Sequence, residues 1–190
     1  MKGEPNIGAR ARVRLLRLAT ARIRLQVDIG FGDAITPEAS VVEFPALLDF
    51  PAPRLRAYPR ETVVAEKLEA MVKLGLANSR MKDFYDLAFL ARHFEFDGAQ
   101  LATAIRATFE RRGTVLPEGT PVALTADFAG ASGKAAQWSG FKRKGAVADA
   151  GGLEEVVAEV ARFVLRPLAM ARTGSPWDGR WPAGGPWTTG

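Results

Sequence analysis

Two adjacent predicted helices each place a charged residue inside a stripe of apolar residues. On a helical wheel of about 100° per residue, Lys67 falls within the apolar stripe of the first helix, although that helix also has a polar side. Asp83 falls near the middle of the apolar stripe of the second helix, with Arg80 one turn earlier. Lysine and aspartate are rarely buried without a partner, and an unpaired buried charge is unfavourable. The pattern therefore predicts a site in which an ammonium and a carboxylate face one core.

The stripes have structural explanations as well. The first stripe consists of Val63, Val64, Met71 and Leu74, opposite Glu66, Glu69 and Lys73; the second consists of Leu87, Leu90, Ala91 and Phe94. A lysine can extend its ammonium to the surface along apolar neighbours, and the helix dipole favours a carboxylate in the first turn, where Asp83 falls. A buried structural salt bridge would also bring both charges into the core.

The composition excludes several kinds of chemistry. The 190-residue chain contains no cysteine, which rules out disulfides, thiolate zinc sites and cysteine nucleophiles. Its one histidine, His93, rules out histidine-rich metal sites and catalytic triads. Four arginines interrupt the first 18 residues, so these do not form a signal peptide, and no run approaches the ~20 apolar residues of a membrane span. We therefore expect a cytoplasmic protein without a membrane segment.

Basic residues are concentrated at the N-terminus, where the chain alternates between apolar and polar residues. Seven of the 26 basic residues lie in the first 24 positions, against the single acid Glu4. Residues 10–18 and 22–30 have the period-two pattern of half-buried strands and predict an antiparallel hairpin. A three-residue connection at 19–21 would place Arg12 opposite Asp28. The basic side of this hairpin is either a phosphate-binding surface or a solvated sheet face.

The remaining elements form a mostly helical arrangement. Residues 41–50 predict a short edge strand because Pro45 excludes a central one, and a proline-flanked connection leads to the Lys67 helix. Asn78 or Ser79 can cap the Asp83 helix, residues 98–112 predict a third helix, and residues 119–152 are rich in Gly, Ala and Ser. A last helix is predicted over 153–166, ending at Pro167.

Several of these segments resemble one protein family along nearly the whole chain. The chain is similar to the AbiEii/AbiGii toxin family, nucleotidyltransferases of bacterial type IV toxin–antitoxin and abortive phage-infection systems. The similarity rests on IRLQVDIGFGDAITP, YPRETVVAEKLEAMVKLG, NSRMKDFYDL, AIRATFERRGT, PVALTADFAG, QWSGFKRK and the WPAGGPW ending. The most specific signal is the lysine helix together with NSRMKDFYDL.

The resemblance implies a fold and a reaction. The fold is α+β, a partial DNA-polymerase-β-like nucleotidyltransferase with an antiparallel hairpin followed by a helical C-terminal part. The reaction transfers a nucleoside monophosphate from a nucleoside triphosphate to an acceptor, which in some members is the 3′ end of tRNA. The implied partners are therefore a nucleoside triphosphate, an RNA acceptor and a cognate antitoxin, and the implied cofactor is Mg²⁺, which prefers oxygen ligands.

The resemblance also assigns roles to individual residues. Asp28 corresponds to a strand carboxylate that binds the metal or activates the acceptor, so Asp28, Lys67 and Asp83 are the implied catalytic residues. Lys67 is expected to meet the triphosphate oxygens, and Asp83 to hold that lysine or help to position the nucleotide. Nucleotide binding is implied for Lys67, Arg80, Lys82 and Asp86.

One motif of the family does not occur in this sequence. Family members begin with a strand and helix that carry a Gly-Ser turn followed by Asp-x-Asp, and no Asp-x-Asp occurs here. The sequence thus predicts the C-terminal part of such a toxin: residues 1–58 from its sheet, residues 59–172 from its helical part, and residues 173–190 as a flexible tail. Two alternatives remain. One is a catalytically inactive remnant that binds nucleotide, RNA or antitoxin, and the other is a basic module that binds RNA through the arginine-rich hairpin.

Overall fold

The structure, a computed structural model, describes residues 9–11, 14–18, 21–24, 27–29, 35–46, 49–145 and 147–189. The chain divides into two compact units, Met1–Asp33 and Ala34–Gly190. Each contains short antiparallel strand pairs, and the second also contains six α-helices among its described residues. The combination agrees with the predicted α+β nucleotidyltransferase-like class. The predicted boundary after residue 58 remains a prediction.

The first unit contains the predicted antiparallel hairpin, but the register differs from the prediction. Its strands are β1 (Ala9–Ala11), β2 (Arg14–Leu18), β3 (Ala21–Arg24) and β4 (Val27–Ile29), with β2 paired to β3 and β1 paired to β4. Arg10, and not Arg12, lies opposite Asp28.

The connection and a β-bulge explain the two-residue shift. Leu18 lies opposite Ala21, so two residues separate the paired positions where the sequence analysis assumed three. One extra residue in β2, between Arg14 and Arg17, then moves the register by one more position. Because loop length and bulges set the register of a hairpin, the alternating pattern alone could not define it.

A second hairpin begins the larger unit. The predicted edge strand 41–50 is shorter in the structure, where β5 (Ser40–Glu43) ends before Pro45. It pairs with β6 (Arg54–Ala57), which the sequence analysis had interpreted as a connecting segment. The prolines on either side of β6 hid a strand that is only four residues long.

The helices confirm most of the predicted helical part. They are α1 (Arg60–Leu74), α2 (Met81–His93), α3 (Gly98–Arg112), α4 (Ala126–Gly130), α5 (Lys134–Gly145) and α6 (Leu153–Thr173). The third helix has its predicted bounds, because the side chain of Asp97 accepts a hydrogen bond from the Gln100 amide and Gly113 ends it in the left-handed conformation. None of the described helices is both long and apolar enough to span a bilayer.

One apolar core joins these helices. Phe84, Phe109, Phe128 and Phe163 are fully buried in it, and the Phe84 and Phe128 rings stack with centroids 5.1 Å apart. Helix α1 packs on α3, while α2 and α3 both pack on α6. The core explains α4 and α5, which the sequence analysis did not predict. Their segment is poor in periodic signal but contributes Phe128 and Trp138 to the interior.

The last helix continues through Pro167, contrary to the prediction that it ends there. A proline lacks the N–H that would donate to the carbonyl four residues earlier, which here is the carbonyl of Phe163. The indole Nε1 of Trp187 donates to that oxygen at 2.8 Å. A distant side chain therefore replaces the hydrogen bond that the proline removes, and α6 runs on to Thr173.

The segment after α6, predicted as a flexible tail, packs against the helices in the structure. Strand β8 (Arg180–Trp181) pairs with β7 (Phe96–Asp97), and Trp181 is buried. The Trp181 indole and the Gly184 amide both donate to the carbonyl of Ala91 near the end of α2, at 2.8 and 2.9 Å. The tryptophans thus satisfy carbonyls that the helix leaves without partners, which composition alone did not reveal.

Candidate functional site

The site begins at the turn that joins α1 to α2. Helix α1 ends at Leu74, and a 3₁₀ turn follows over residues 75–77. Gly75, the first residue of this turn, has a φ of 51°, which is in the region that favours glycine. Helix α2 starts after Arg80, whose amide donates to the side-chain Oδ1 of Asn78 at 2.9 Å. Neither of the two predicted capping residues, Asn78 and Ser79, caps helix α2 with its side chain, and Asn78 instead orders the turn before it. The tight connection brings the side of α1 that carries Lys67 against the first turns of α2.

Lys67 and Asp83 meet, as their positions in the two stripes predict. The Nζ of Lys67 donates a hydrogen bond to Oδ1 of Asp83 at 2.9 Å and lies 2.7 Å from Oδ2 of Asp86. The side chains of Lys67 and Asp83 are only 17% and 5% exposed. The lysine therefore does not extend into solvent but is held between two carboxylates one turn apart on α2.

Two further cations complete the cluster. The Nε of Arg80 lies 2.7 Å from Oδ2 of Asp83, a close ion pair whose N–H is not aligned as a hydrogen bond. Lys82 lies 2.6 Å from the Asp86 oxygen that Lys67 contacts, and its side chain is 72% exposed. The predicted residues on α1 and α2 therefore form one group of three cations and two carboxylates, here called the Lys67 cluster: Lys67, Arg80, Lys82, Asp83 and Asp86.

The carboxylates keep Lys67 protonated. Burial by itself lowers the pKa of a lysine, but the hydrogen bonds and negative charges of Asp83 and Asp86 together outweigh it and raise the pKa of Lys67 above 10.5. Lys67 is therefore a fixed positive charge at neutral pH. It can bind or stabilise an anion, but it does not act as a base.

The buried side of α1 differs in part from the predicted stripe. Val64 and Met71 are buried as expected, whereas Leu74 is exposed. Glu69, assigned to the polar side, is 2% exposed, and its carboxylate accepts a hydrogen bond from Nη1 of Arg112 at 2.8 Å. Helix α1 therefore packs against other elements on more than one side, and its residue Glu69 forms an ion pair with Arg112 of α3.

Asp28 lies in the first unit, and its side chain is outside the described residues. Among the residues that the structure describes, no three His, Cys, Asp or Glu side chains come together as metal ligands. Asp83 and Asp86 are within reach of one another but are both engaged by cations. The described residues therefore do not fit a Mg²⁺ site, and the assignment of metal to Asp28 stays a prediction.

A further buried residue, which the sequence pattern did not predict, lies beneath the turn. Lys134, the first residue of α5, is buried, and its Nζ donates to the carbonyls of Leu76 and Asn78 at 2.8 and 2.7 Å. It stands alone between small residues in a Gly/Ala/Ser-rich segment, so no periodic pattern marked it as a core residue.

Comparison with known proteins assigns the chain to a family. A family model described as nucleotidyl transferase AbiEii toxin, type IV toxin–antitoxin system, matches residues 3–159, more than four fifths of the sequence. The chain belongs to the AbiEii toxin family. The match includes the Lys67 cluster, Asp28 and Lys134. No curated protein and no solved structure matches the chain.

Membership of the AbiEii family indicates the general type of protein to which the Lys67 cluster belongs. It confirms the predicted family and implies a toxin of the nucleotidyltransferase type, with a nucleotide substrate and an antitoxin in the same system. The family match assigns no role to any single residue.

Proposed function

We propose that this chain transfers a nucleoside monophosphate from a nucleoside triphosphate to an acceptor, and that Lys67 meets the triphosphate. The observation that carries the proposal is the placement of the Lys67 ammonium, held at 2.9 Å from Asp83 and 2.7 Å from Asp86. A lysine used only as a surface charge does not need two carboxylates to orient it. This arrangement fixes the ammonium before a ligand arrives.

The charge of the Lys67 cluster suits a polyanion. Its three cations exceed its two carboxylates by one charge, and an ammonium has three N–H donors. Asp83 accepts a hydrogen bond from the ammonium and Asp86 lies 2.7 Å from the same nitrogen, so two contacts leave a third donor for a ligand. Arg80 and Lys82, which are mostly exposed, extend the positive surface beside it. We assign them to the triphosphate together with Lys67, and Asp83 and Asp86 to holding the lysine.

The reaction places negative charge where such a lysine is useful. An acceptor oxygen forms a bond to the α-phosphorus, the bond to the bridging oxygen breaks, and pyrophosphate leaves with the added charge. A preorganised cation stabilises the charge that develops on the leaving oxygens. We propose Asp28 as the carboxylate that either takes the acceptor's proton or binds Mg²⁺, in which case the proton passes to water. Mg²⁺, when bound, would neutralise phosphate charge.

The decisive test compares two lysines that share one carboxylate. Labelled-triphosphate binding should weaken about tenfold or more, or at least 1.4 kcal/mol, in Lys67→Ala. Lys82→Ala should weaken triphosphate binding by a smaller factor, because the exposed charge of Lys82 is screened by water and salt. Equal binding by the parent and Lys67→Ala would contradict the proposal and leave the Lys67 pair as a structural salt bridge.

Transfer is measured separately from binding. Incorporation of labelled nucleotide into RNA by the parent chain, and its loss in Lys67→Ala and Asp28→Asn, would support the proposed reaction. Binding of triphosphate without incorporation, at any Mg²⁺ concentration, would instead favour the catalytically inactive remnant. A role in abortive phage infection would follow only from the first result.

For the acceptor we propose RNA, such as the 3′ end of tRNA, bound by the N-terminal hairpin. The register places Arg14 opposite Arg24 and Arg17 opposite Arg22. Like charges at opposed positions destabilise a strand pair, and a phosphate backbone would relieve that repulsion. The hairpin sequence contains almost no acidic residue that could offset the repulsion between these arginines.

Salt titrations test the acceptor surface. The double variant Arg14→Gln/Arg24→Gln should weaken RNA binding across sequences and reduce the slope of log affinity against log salt by about 1.4 for a single strand. Lys67→Ala should leave RNA affinity nearly unchanged. If it lowers RNA affinity as much as the double arginine variant does, the division between the two surfaces is wrong.

A further inference from the structure

Lys134 is a buried cation with an unusual set of partners. The residue is 5% exposed, and its Nζ donates to two backbone carbonyls, those of Leu76 and Asn78. The ammonium also lies 4.4 Å from the centroid of the Phe128 ring. Its hydrogen bonds therefore go to backbone carbonyls rather than to a carboxylate. A surface lysine normally keeps its charge in water, so this one is held inside by the turn above it.

The two carbonyls belong to the turn that connects α1 to α2. The last carbonyls of a helix lack partners within it, and a cation at a helix C-terminus interacts favourably with its dipole. At the end of α1 and the 3₁₀ turn that follows it, Lys134 supplies a hydrogen-bond donor for the free carbonyls and a positive charge near the helix dipole. Below it, Phe128 stacks on Phe84 of α2, and both rings are fully buried. The turn is thereby connected to a fully buried part of the core.

A continuous series of contacts leads from this turn to the Lys67 cluster. Asn78 has no exposed surface, and its Oδ1 accepts a hydrogen bond from the Arg80 amide at 2.9 Å. The Asp83 amide donates to the Arg80 carbonyl at 2.9 Å, and the Arg80 side chain contacts the Asp83 carboxylate. Asp83 in turn accepts a hydrogen bond from the Lys67 ammonium. The position of Arg80 and of Asp83 therefore depends on a turn that Lys134 holds from below.

We propose that Lys134 is a positioning residue for the triphosphate site, acting through Asn78 and Arg80. The inference rests on the proposed function of the Lys67 cluster. It assigns to α5 a part in a site formed by α1 and α2. Without the ammonium, the turn loses the two hydrogen bonds from Lys134 to the carbonyls of Leu76 and Asn78, and Arg80 is no longer held against Asp83.

The test uses Lys134→Met, which keeps the length of the side chain and removes its charge. Measured well below its thermal midpoint, this variant should bind labelled triphosphate about tenfold more weakly than the parent. Lys142→Met is the matched control: it lies on the same helix, and its Nζ donates to one carbonyl, that of Gly151, at 3.2 Å. It should bind like the parent. If Lys134→Met does not fold, Lys134→Gln replaces it, since its amide retains N–H donors at shorter reach.

A double-mutant cycle separates positioning from general stability. In an Arg80→Ala background, Lys134→Met should cause no further loss of affinity, because both act on one contact, while its lower thermal midpoint should persist. A lower midpoint with unchanged affinity, or an equal loss of affinity in both backgrounds, would overturn the inference.

Amide exchange gives a readout that does not need the nucleotide. Exchange at Arg80 and Asp83 should be faster in Lys134→Met than in the parent, since their amide hydrogen bonds lie within the turn and its first helical residues. Unchanged exchange would refute the positioning role by itself. Failure of Lys67→Ala to affect triphosphate binding would instead refute the proposed function.

Discussion

Replacing Lys67 by methionine tests how much the buried ion pair stabilises the fold. The change keeps the length of the side chain but leaves Asp83 and Asp86 without their shared cation. Removing one partner of a buried ion pair typically lowers the free energy of unfolding by about 3–5 kcal/mol, because the remaining charge is left unpaired.

The structure predicts a smaller loss here. Asp83 keeps Arg80 at 2.7 Å and Asp86 keeps Lys82 at 2.6 Å. What disappears is one hydrogen bond between charged groups together with the second ion pair. We therefore expect Lys67→Met to lose about 1.5–3 kcal/mol, the range for a hydrogen bond to a charged group.

Lys82→Met is the matched control, because the same change is made to a lysine that contacts the same carboxylate. Lys82 is mostly exposed, and pairs of that kind contribute about 0.2–1 kcal/mol. Urea denaturation followed by circular dichroism at pH 7 measures both variants, and the denaturant slope should not change. Equal losses in the two variants would show that burial does not strengthen the Lys67 pair. Parental stability of Lys67→Met would show that the cost of desolvating Lys67 cancels its contacts.

Three further predictions follow from the same structure. The pKa of Lys67 is raised above 10.5 in the folded state, so the contribution of its charge to stability is complete below that pH and is lost as the pH rises through the folded pKa. The difference in unfolding free energy between the parent and Lys67→Met should therefore be constant from neutral pH to about pH 10 and become smaller above it. A difference that grows in alkali would contradict this. Trp187→Phe should lose about 0.5–1.5 kcal/mol more than Trp177→Phe, as measured by urea denaturation, because only Trp187 donates to the Phe163 carbonyl, whereas Nε1 of Trp177 has no acceptor among the described residues. Gly98→Ala should lower the thermal midpoint, because its Cβ would lie 2.6 Å from the Trp177 ring, and an unchanged midpoint would show that the C-terminal segment shifts freely.

Local pattern was sufficient for much of the helical part. The third helix could be placed at residues 98–112 because its caps are adjacent in sequence, with Asp97 at one end and Gly113 at the other. The pairing of Lys67 with Asp83 could be anticipated because a charge inside an apolar stripe needs a partner, and a short turn limits where that partner lies. The family motifs cover the same residues, and the family model confirms the membership they indicated.

The errors occur where a distant residue decides the outcome. Pro167 ordinarily ends a helix, and it does not do so here because Trp187, twenty residues later, donates to the carbonyl that the proline leaves free. Glu69 belongs on the polar side of α1 by periodicity, but Arg112 of α3 pairs with it and allows its burial. The hairpin register followed from a bulge that alternation does not encode.

The sequence by itself determined that Lys67 and Asp83 carry charge toward the core, that the chain has no cysteine, and the family to which it belongs. Only the tertiary structure decided that two carboxylates share Lys67, that Lys134 supports the turn beside them, and that the C-terminal tryptophans complete two helices. The physical reason is that periodicity reports the neighbours of a residue along one helix. The partner of a buried polar group lies on another element, and its position is set by how the elements pack.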